Sequence, residues 1–461
     1  MKKSKYSFFF EIADEYIGYA YLSDSFVSFP LVVKKHVDII LEYPDDIITD
    51  ADVVIYKELC DKKYLIKDDF DEYNYLLNLH RKLIYKNDLL ALTIVPTMGC
   101  NCRCPYCYEL HPSLKNAKMS DEVIANLKKY ITDNIKTIKD LHIGWFGGEP
   151  LLCMDVVKDI SDFCIKLCEK ENVIFHNAMT TNGVLLTRRN AQILDDCRIY
   201  SLQITLDGPQ KNHDETRITV SGNPTFEIIR KNISNYLDIN EKNYIDLRVH
   251  LEANAQKEVI SGIVDTLKLF EVKYRKRIKV YSHIIFSACS ESFSNEYSNN
   301  CSINTIKKTE DTSVTLTNRI YEEALNLGFD ITNTYKRGKM VACPFELENN
   351  WVVRYDGYLT KCTVGIEKER ALAKLTKEGI KLFPERFLIT TNKEFSTKLY
   401  AHCKDCELLP FCWQRCTYQH YLNPDFNSFI ANQCPRDKDS WIIRRQINQT
   451  KIRYRKEKLK K

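Results

Sequence analysis

The sequence has no run of about 18 uninterrupted apolar residues, the length a membrane span requires. At its start, MKKSKYSFFFEIADE, the apolar stretch behind the lysines is broken by Glu11, Asp14 and Glu15 before it reaches the length of a secretory signal core. There is no HExxH or similar pattern among the 10 histidines, and no internal repeat of fixed period. A basic body is missing too. The formal net charge of +5 comes from the end of the chain: from Arg444, the last 18 residues carry nine Lys or Arg against one Glu, so the preceding 443 sum to −3. That balance excludes a nucleic-acid-binding body, and the basic end reads as a solvated, partly disordered tail. With neither export signal nor membrane span, the protein is expected in the cytoplasm.

Cysteine, by contrast, is abundant, with 18 in 461 residues. Eleven of them fall in 100–107 or 343–434 and the others are scattered singly. A reducing compartment disfavours disulfides, so the clustering points to metal or iron–sulfur ligation.

A chain of 461 residues predicts two to four domains. Residues 1–88 read as a small strand-and-helix module, hairpin-like over 6–32 and helical near 50–63 and 71–85. From 89 to 290, six short apolar runs alternate with amphipathic helical segments, which predicts parallel strands with crossover helices, as an open sheet or a partial barrel. Residues 291–339 read as a polar linker with a bridging helix, 340–440 as a cysteine-rich domain and 441–461 as the basic tail. In parallel α/β folds the active-site residues follow the C-terminal strand ends.

The chemistry is concentrated there. CNCRCPYCYE follows the first strand, with Cys100, Cys104 and Cys107 spaced Cys-x3-Cys-x2-Cys. Three thiolates would leave one iron of a four-iron cube without a protein ligand, whereas a structural zinc would recruit Cys102 as its fourth. Gly147-Gly148-Glu149-Pro150 follows the second strand, Thr181-Asn182-Gly183 the third, and Thr205-Leu206-Asp207-Gly208 the fourth, with His213-Asp214 and Arg217 after it. Singly, each is more readily a turn than a ligand. Together and in order they resemble the radical S-adenosylmethionine (SAM) enzymes.

That resemblance implies a partial (β/α)6 TIM-like barrel and a [4Fe-4S] cluster on Cys100, Cys104 and Cys107 whose open iron chelates SAM. By the same resemblance Gly147, Gly148, Glu149 and Pro150 would receive the SAM amino group. Asn182, Thr205, Asp207 and Arg217 would line the SAM site, with Thr205 and Arg217 towards ribose and carboxylate and Tyr106 towards the adenine. Cys102 is expected to be a bystander.

The C-terminal array is Cys343, Gly357 and Cys362, then Cys403-x2-Cys406-x5-Cys412-x3-Cys416, and finally Cys434. Taken alone, the 403–416 group suits zinc as well as iron–sulfur. In full the array resembles the SPASM domain of radical SAM maturases, which implies two auxiliary [4Fe-4S] clusters. Cys403, Cys406, Cys412 and Cys434 would hold one, and Cys343, Cys362 and Cys416 the other, with an iron left open. In sulfatase-maturating relatives an Asp follows the Gly-x4-Cys element as base. Here Thr363, Val364, Gly365 and Ile366 follow Cys362, and Glu367 is the first carboxylate.

The expected function is therefore a radical SAM peptide maturase. It would cleave SAM reductively and abstract hydrogen from a ribosomally made precursor peptide to form a crosslink or thioether. Its partners would be that peptide, whose leader the first 88 residues would bind, and a one-electron reductant such as flavodoxin or ferredoxin. Maturation of a sulfatase Cys or Ser to formylglycine is the alternative. A zinc-stapled adaptor acting through the basic tail is the reading of a different class. Cys164 and Cys168 lie on the apolar stripe of a helix and are expected to be buried hydrophobes.

Overall fold

The computed structural model describes residues 1–46, 49–107, 109, 117–251, 257–284, 318–331, 343–386, 393–412, 425–434 and 441–458. Cys289, Cys301, Cys416 and the 291–339 linker apart from 318–331 therefore lie outside the described residues. The chain divides into two compact units, one made of 1–85, 333–347 and 391–461, the other of 86–332 and 348–390.

In the second unit the six apolar runs are six strands: Leu89–Ile94, Asp140–Trp145, Ile174–Thr181, Ile199–Leu206, Tyr244–Leu251 and Ile278–Ile284. Each pairs in parallel with the next, in sequence order. Helices such as Asp121–Asn134, Met154–Glu171, Arg188–Asp196 and Phe226–Ile239 make the crossovers. This is the expected partial TIM-like barrel. Period-two alternation divides its faces. Leu141, Ile143 and Trp145 are buried, whereas His142 is exposed and Gly144 half-buried on the opposite, lumen face. The indole of Trp145 donates to Asn177 Oδ1 at 2.9 Å, and Asn177 in turn donates to Ser161 of the Met154–Glu171 helix at 3.1 Å. The apolar face thus meets the helices.

The sheet continues past the six strands. Asn350–Val353 pairs in parallel with Leu89–Ile94, and Tyr358–Thr360, Ala373–Thr376 and Gly379–Leu382 follow as an antiparallel meander. The cysteine-rich region read as one segment, 340–440, is thus shared between the two units: Cys362 sits in the barrel sheet's extension, and Cys403, Cys406, Cys412 and Cys434 in the first unit. The physical reason is the open edge of Leu89–Ile94, whose backbone groups need a partner.

The first unit contains the predicted hairpins, an antiparallel sheet of Ser7–Ile12, Glu15–Ala20 and Ser25–Pro30. Helices Lys34–Glu42, Asp50–Asp61 and Glu72–Ile84 accompany it. The second of these opens with a capping box between Thr49 and Asp52. The basic end is not a loose tail, because Trp441–Lys458 is an 18-residue helix. Tyr454 is buried with Phe10 and Ile17, and Ile447 packs beside it. Arg453 pairs with Asp24, and Lys458 with Glu15 at 2.6 Å. Acidic hairpin residues offset the charge that the sequence reading left to solvent.

Candidate active site

The loop after the first barrel strand is fixed from two sides. On one side its backbone pairs with the segment after Arg217: Arg103 N donates to Ile218 O at 3.0 Å, and Val220 N to Asn101 O at 2.9 Å. On the other lies the glycine pair. A Cβ on Gly148 would stand 2.2 Å from the Gly99 carbonyl oxygen and 2.6 Å from that of Met98. Gly147 has φ +112, and a Cβ there would meet Thr97 O at 2.6 Å. Only glycine permits this approach, which seats the Cys100 loop on the end of the second strand.

Glu149 completes that seat. Its side chain is fully buried, and its carboxylate accepts from Leu151 N at 3.0 Å, Thr181 Oγ1 at 2.8 Å and Asn182 N at 2.8 Å. Its own N–H donates to Gly99 O at 2.8 Å. Burial raises the carboxyl's pKa, and these hydrogen bonds work against the rise. The carboxylate expected to meet the SAM amino group thus braces the second and third strand ends. Pro150 begins the short 3-10 turn Pro150–Cys153 behind it. Asn182 turns towards the loop, with Nδ2 2.7 Å from Asn101 Oδ1 and 3.7 Å from Cys100 Sγ.

At the fourth strand end, Asp207 is the hub of a buried polar network. Its carboxylate accepts from Tyr106 OH and from Thr216 Oγ1 at 2.9 Å, and lies 3.5 Å from Arg217 Nε and 3.2 Å from His250 Nδ1. Arg217 Nη2 also donates to Tyr106 OH at 2.9 Å. Burial alone would raise the Asp207 carboxyl, but Arg217 and His250 outweigh it and hold the group well below the usual carboxylate range. Tyr106 and Arg217, expected to meet SAM directly, are therefore bound to each other and both to Asp207. Thr205 is buried as the last but one residue of the fourth strand, two residues before Asp207.

The His213-Asp214 pair serves the same architecture. Asp207 N donates to His213 Nδ1 at 3.2 Å, while His213 Nε2 lies 2.9 Å from Thr225 Oγ1. Burial lowers the imidazole to about 4, so it stays neutral at physiological pH. Asp214 Oδ1 accepts from Thr225 N and Phe226 N, both at 2.9 Å, and so caps the helix Phe226–Ile239. His250, at the end of the fifth strand, is the member that motif reading missed. Its one sequence signal was its position at a C-terminal strand end.

Three thiols from one loop, seated on a glycine cradle, form a donor set suited to an iron–sulfur cluster. Cys104 is buried, and Cys100 and Cys107 are partly so. Cys102 is buried as well; its backbone bridges to Thr219 and its N–H lies 3.4 Å from Cys100 Sγ. Its thiol is pushed above the ordinary cysteine value, first by its hydrogen bond to Cys100 and then by burial, and burial raises Cys104 and Cys107 as well. Every described cysteine is a free thiol, and Cys164 and Cys168 are buried as expected.

Among the C-terminal cysteines, Cys403 ends the helix Lys393–Cys403 and Cys434 caps Phe426–Gln433. These helices meet through Leu399, Phe426 and Ile430, with Cys403 beside them. His402 Nε2 lies 3.4 Å from Cys434 Sγ. Cys406 N donates to Cys403 O at 3.0 Å and Cys412 N to Leu408 O at 2.8 Å, so this segment is a compact series of turns. Cys343 lies in the first unit and Cys362 in the second, while Cys416 lies outside the described residues.

Residues 94–249 match the family described as the Radical SAM superfamily. Over 143 residues the chain is 31% identical to the serine-type anaerobic sulfatase-maturating enzyme of Bacteroides thetaiotaomicron, covering 29% of this chain and 33% of that one. Over 123 residues it is 34% identical to the probable GTP 3′,8-cyclase of Archaeoglobus fulgidus, covering 27% and 37%. The chain thus spans about a third of the length of these curated relatives. The solved structure of native anSMEcpe with bound AdoMet and Cp18Cys peptide superposes on 74% of this chain and 98% of its own, with TM-score 0.52 and 20% identity. At that identity the likeness speaks for the fold alone. Among the described residues no helix is long and apolar enough to cross a membrane.

Proposed function

We propose, from the radical SAM domain that residues 94–249 of this chain form, that the protein is a cytoplasmic oxidoreductase modifying a ribosomally made precursor peptide. The observation that carries the proposal is the Cys100–Cys107 loop seated on Gly147 and Gly148, with the Tyr106–Asp207–Arg217 network at the neighbouring strand end. Cys100, Cys104 and Cys107 would hold a [4Fe-4S] cluster with an open iron for SAM. Together these groups would supply an electron and, from SAM, a 5′-deoxyadenosyl radical able to take hydrogen from an unactivated carbon.

The chain's own residues prepare for that chemistry. Gly147 and Gly148 let backbone approach closely at the place where the SAM amino end would lie, and Glu149 stiffens that place by joining Gly99, Leu151, Thr181 and Asn182. Arg217 and Asp207 hold the Tyr106 ring by its hydroxyl, as a surface for the adenine. Thr205 and Asn182 would contribute the remaining polar contacts. His213, neutral and buried, fixes the Asp207 backbone.

The peptide substrate rests on the C-terminal cysteines. Cys403, Cys406, Cys412 and Cys434 would hold one auxiliary cluster, and Cys343, Cys362 and Cys416 a second, as in the SPASM arrangement. Residues 1–88 would receive the leader, and a flavodoxin or ferredoxin would deliver electrons. Maturation of a sulfatase is the second reading, and the 31% identical relative with that name favours it. Against it stands the segment after Cys362, where the first carboxylate is Glu367, 3.6 Å from Arg370. The test is incubation with SAM and reductant of, separately, any short peptide found encoded next to this gene and a sulfatase-derived peptide. A loss of two hydrogens without a hydrazide-reactive aldehyde supports the first reading, an aldehyde on a sulfatase-derived peptide supports the second, and unchanged peptides overturn both.

A further inference from the structure

The barrel lumen carries a second group of metal-binding side chains at the end away from the cysteine loop. Asp140 opens the second strand and His142 follows two residues later, so both lie on the same face of the sheet as Gly144. The third strand runs in parallel with His176 directly opposite His142. The two imidazole rings meet edge to face with centroids 4.3 Å apart, and His176 Nε2 lies 3.7 Å from Asp140 Oδ1. One donor atom from each of the three lies within 4.8 Å of the other two.

None of these residues belongs to the network around Cys100 and Asp207. His142 precedes Gly147 by five residues of extended chain, on the order of 15 Å. The group opens instead on a cavity of about 440 Å³ lined by Ala91, Thr93, Ala178, Tyr200 and Tyr244. Ala91, Thr93 and Ala178 leave room between the two tyrosines, and Arg198, which also lines the cavity, is paired with Glu169. The nearby cation Lys86 is held by Asp88 at 3.1 Å.

A Zn–N distance of about 2.0–2.1 Å brings tetrahedral donors roughly 3.3 Å apart, so side-chain rotations of about 1 Å would close the group around an ion. Imidazole and carboxylate together suit a borderline divalent ion better than a hard one such as Mg2+.

We propose that Asp140, His142 and His176 form a divalent metal site, separate from the cysteine sites, that takes Zn2+ or a similar first-row ion. Its remaining coordination positions face the lumen cavity, where water or an oxygen donor of an entering molecule completes the shell. The carboxylate also lies within reach of His176 to orient the ring, a common partner for a ligating histidine.

Zinc itself is the probe. Anaerobically purified holoprotein, with its iron content measured, is loaded with Zn2+, desalted and read by metal analysis and by X-ray absorption at the zinc edge. The proposal expects one zinc per chain beyond the iron, with a nitrogen and oxygen shell at about 2.0–2.1 Å and no sulfur near 2.3 Å. In His142→Ala and His176→Ala, and in the isosteric Asp140→Asn, zinc affinity should fall at least tenfold while iron content is unchanged. No retained zinc, a sulfur shell, or equal affinity in the histidine variants would overturn it. If His142→Ala fails to fold, the exposed neighbouring position carries the test through His176→Gln. The radical SAM reading stands or falls on iron and SAM chemistry, so the two can fail separately.

Discussion

Replacing Gly148 by alanine perturbs the contact on which the cysteine loop rests. The added Cβ would lie 2.2 Å from Gly99 O and 2.6 Å from Met98 O, both backbone atoms that no rotamer change can move. Relief to an ordinary contact needs a displacement of about 1 Å, and overpacking of this kind costs roughly 1–3 kcal/mol. The shift falls on the residue before Cys100 and strains the Glu149 N–H bond to Gly99 O at 2.8 Å. A misplacement of about 1 Å at a reactive site can reduce the rate about 100-fold. Gly144→Ala is the control, because three residues upstream of Gly147 in the same chain segment its Cβ would meet only Thr93 Oγ1, at 3.7 Å. The assay is iron content, denaturation midpoint and SAM-dependent 5′-deoxyadenosine formation for both variants. Gly148→Ala should lose iron or activity and show the lower midpoint, with Gly144→Ala close to the parent. If the two variants behave alike, the glycine cradle is not what seats the loop.

Glu149→Gln keeps the shape but replaces one carboxylate oxygen by an amide donor: with the remaining oxygen accepting from Leu151 N and Thr181 Oγ1, the NH2 faces Asn182 N, so stability should fall by about 1–3 kcal/mol in denaturant titration. His213 titrates near 4 in the fold and near 6.5 when unfolded. The unfolded chain therefore binds the extra proton, and stability falls as pH drops through that window. Between pH 7 and pH 5 the loss is about 2 kcal/mol, measured as the difference from His213→Gln, which should lack it. Tyr454→Ala removes a buried ring packed on Phe10 and Ile17. It should cost on the order of 3 kcal/mol and expose the C-terminal helix to limited proteolysis, an effect a loose tail would not show.

The barrel was legible in the sequence because its signal is local. Leu90, Leu92 and Ile94 alternate with small or half-buried residues, and each strand end carries its own motif. What escaped depends on partners far away in the chain. The pairing of Asn350–Val353 with Leu89–Ile94 answers an open sheet edge that no local pattern announces. The C-terminal helix was read as a loose tail because a charge count cannot see Asp24 and Glu15, more than 400 residues earlier. Motif likeness named Tyr106, Asp207 and Arg217 but not that they bind one another, nor that His250 joins them. Glu149 likewise has three donors of its own chain, an arrangement that only the fold brings together.

The most direct measurement is 5′-deoxyadenosine release from SAM by anaerobically purified protein under a strong one-electron reductant, alongside iron content. The parent should be iron-loaded and active. Cys102→Ser should keep its iron and its activity, while Cys104→Ser should lose SAM cleavage. A colourless, zinc-loaded protein that leaves SAM intact, or a Cys104→Ser variant that cleaves it while Cys102→Ser does not, would contradict the account.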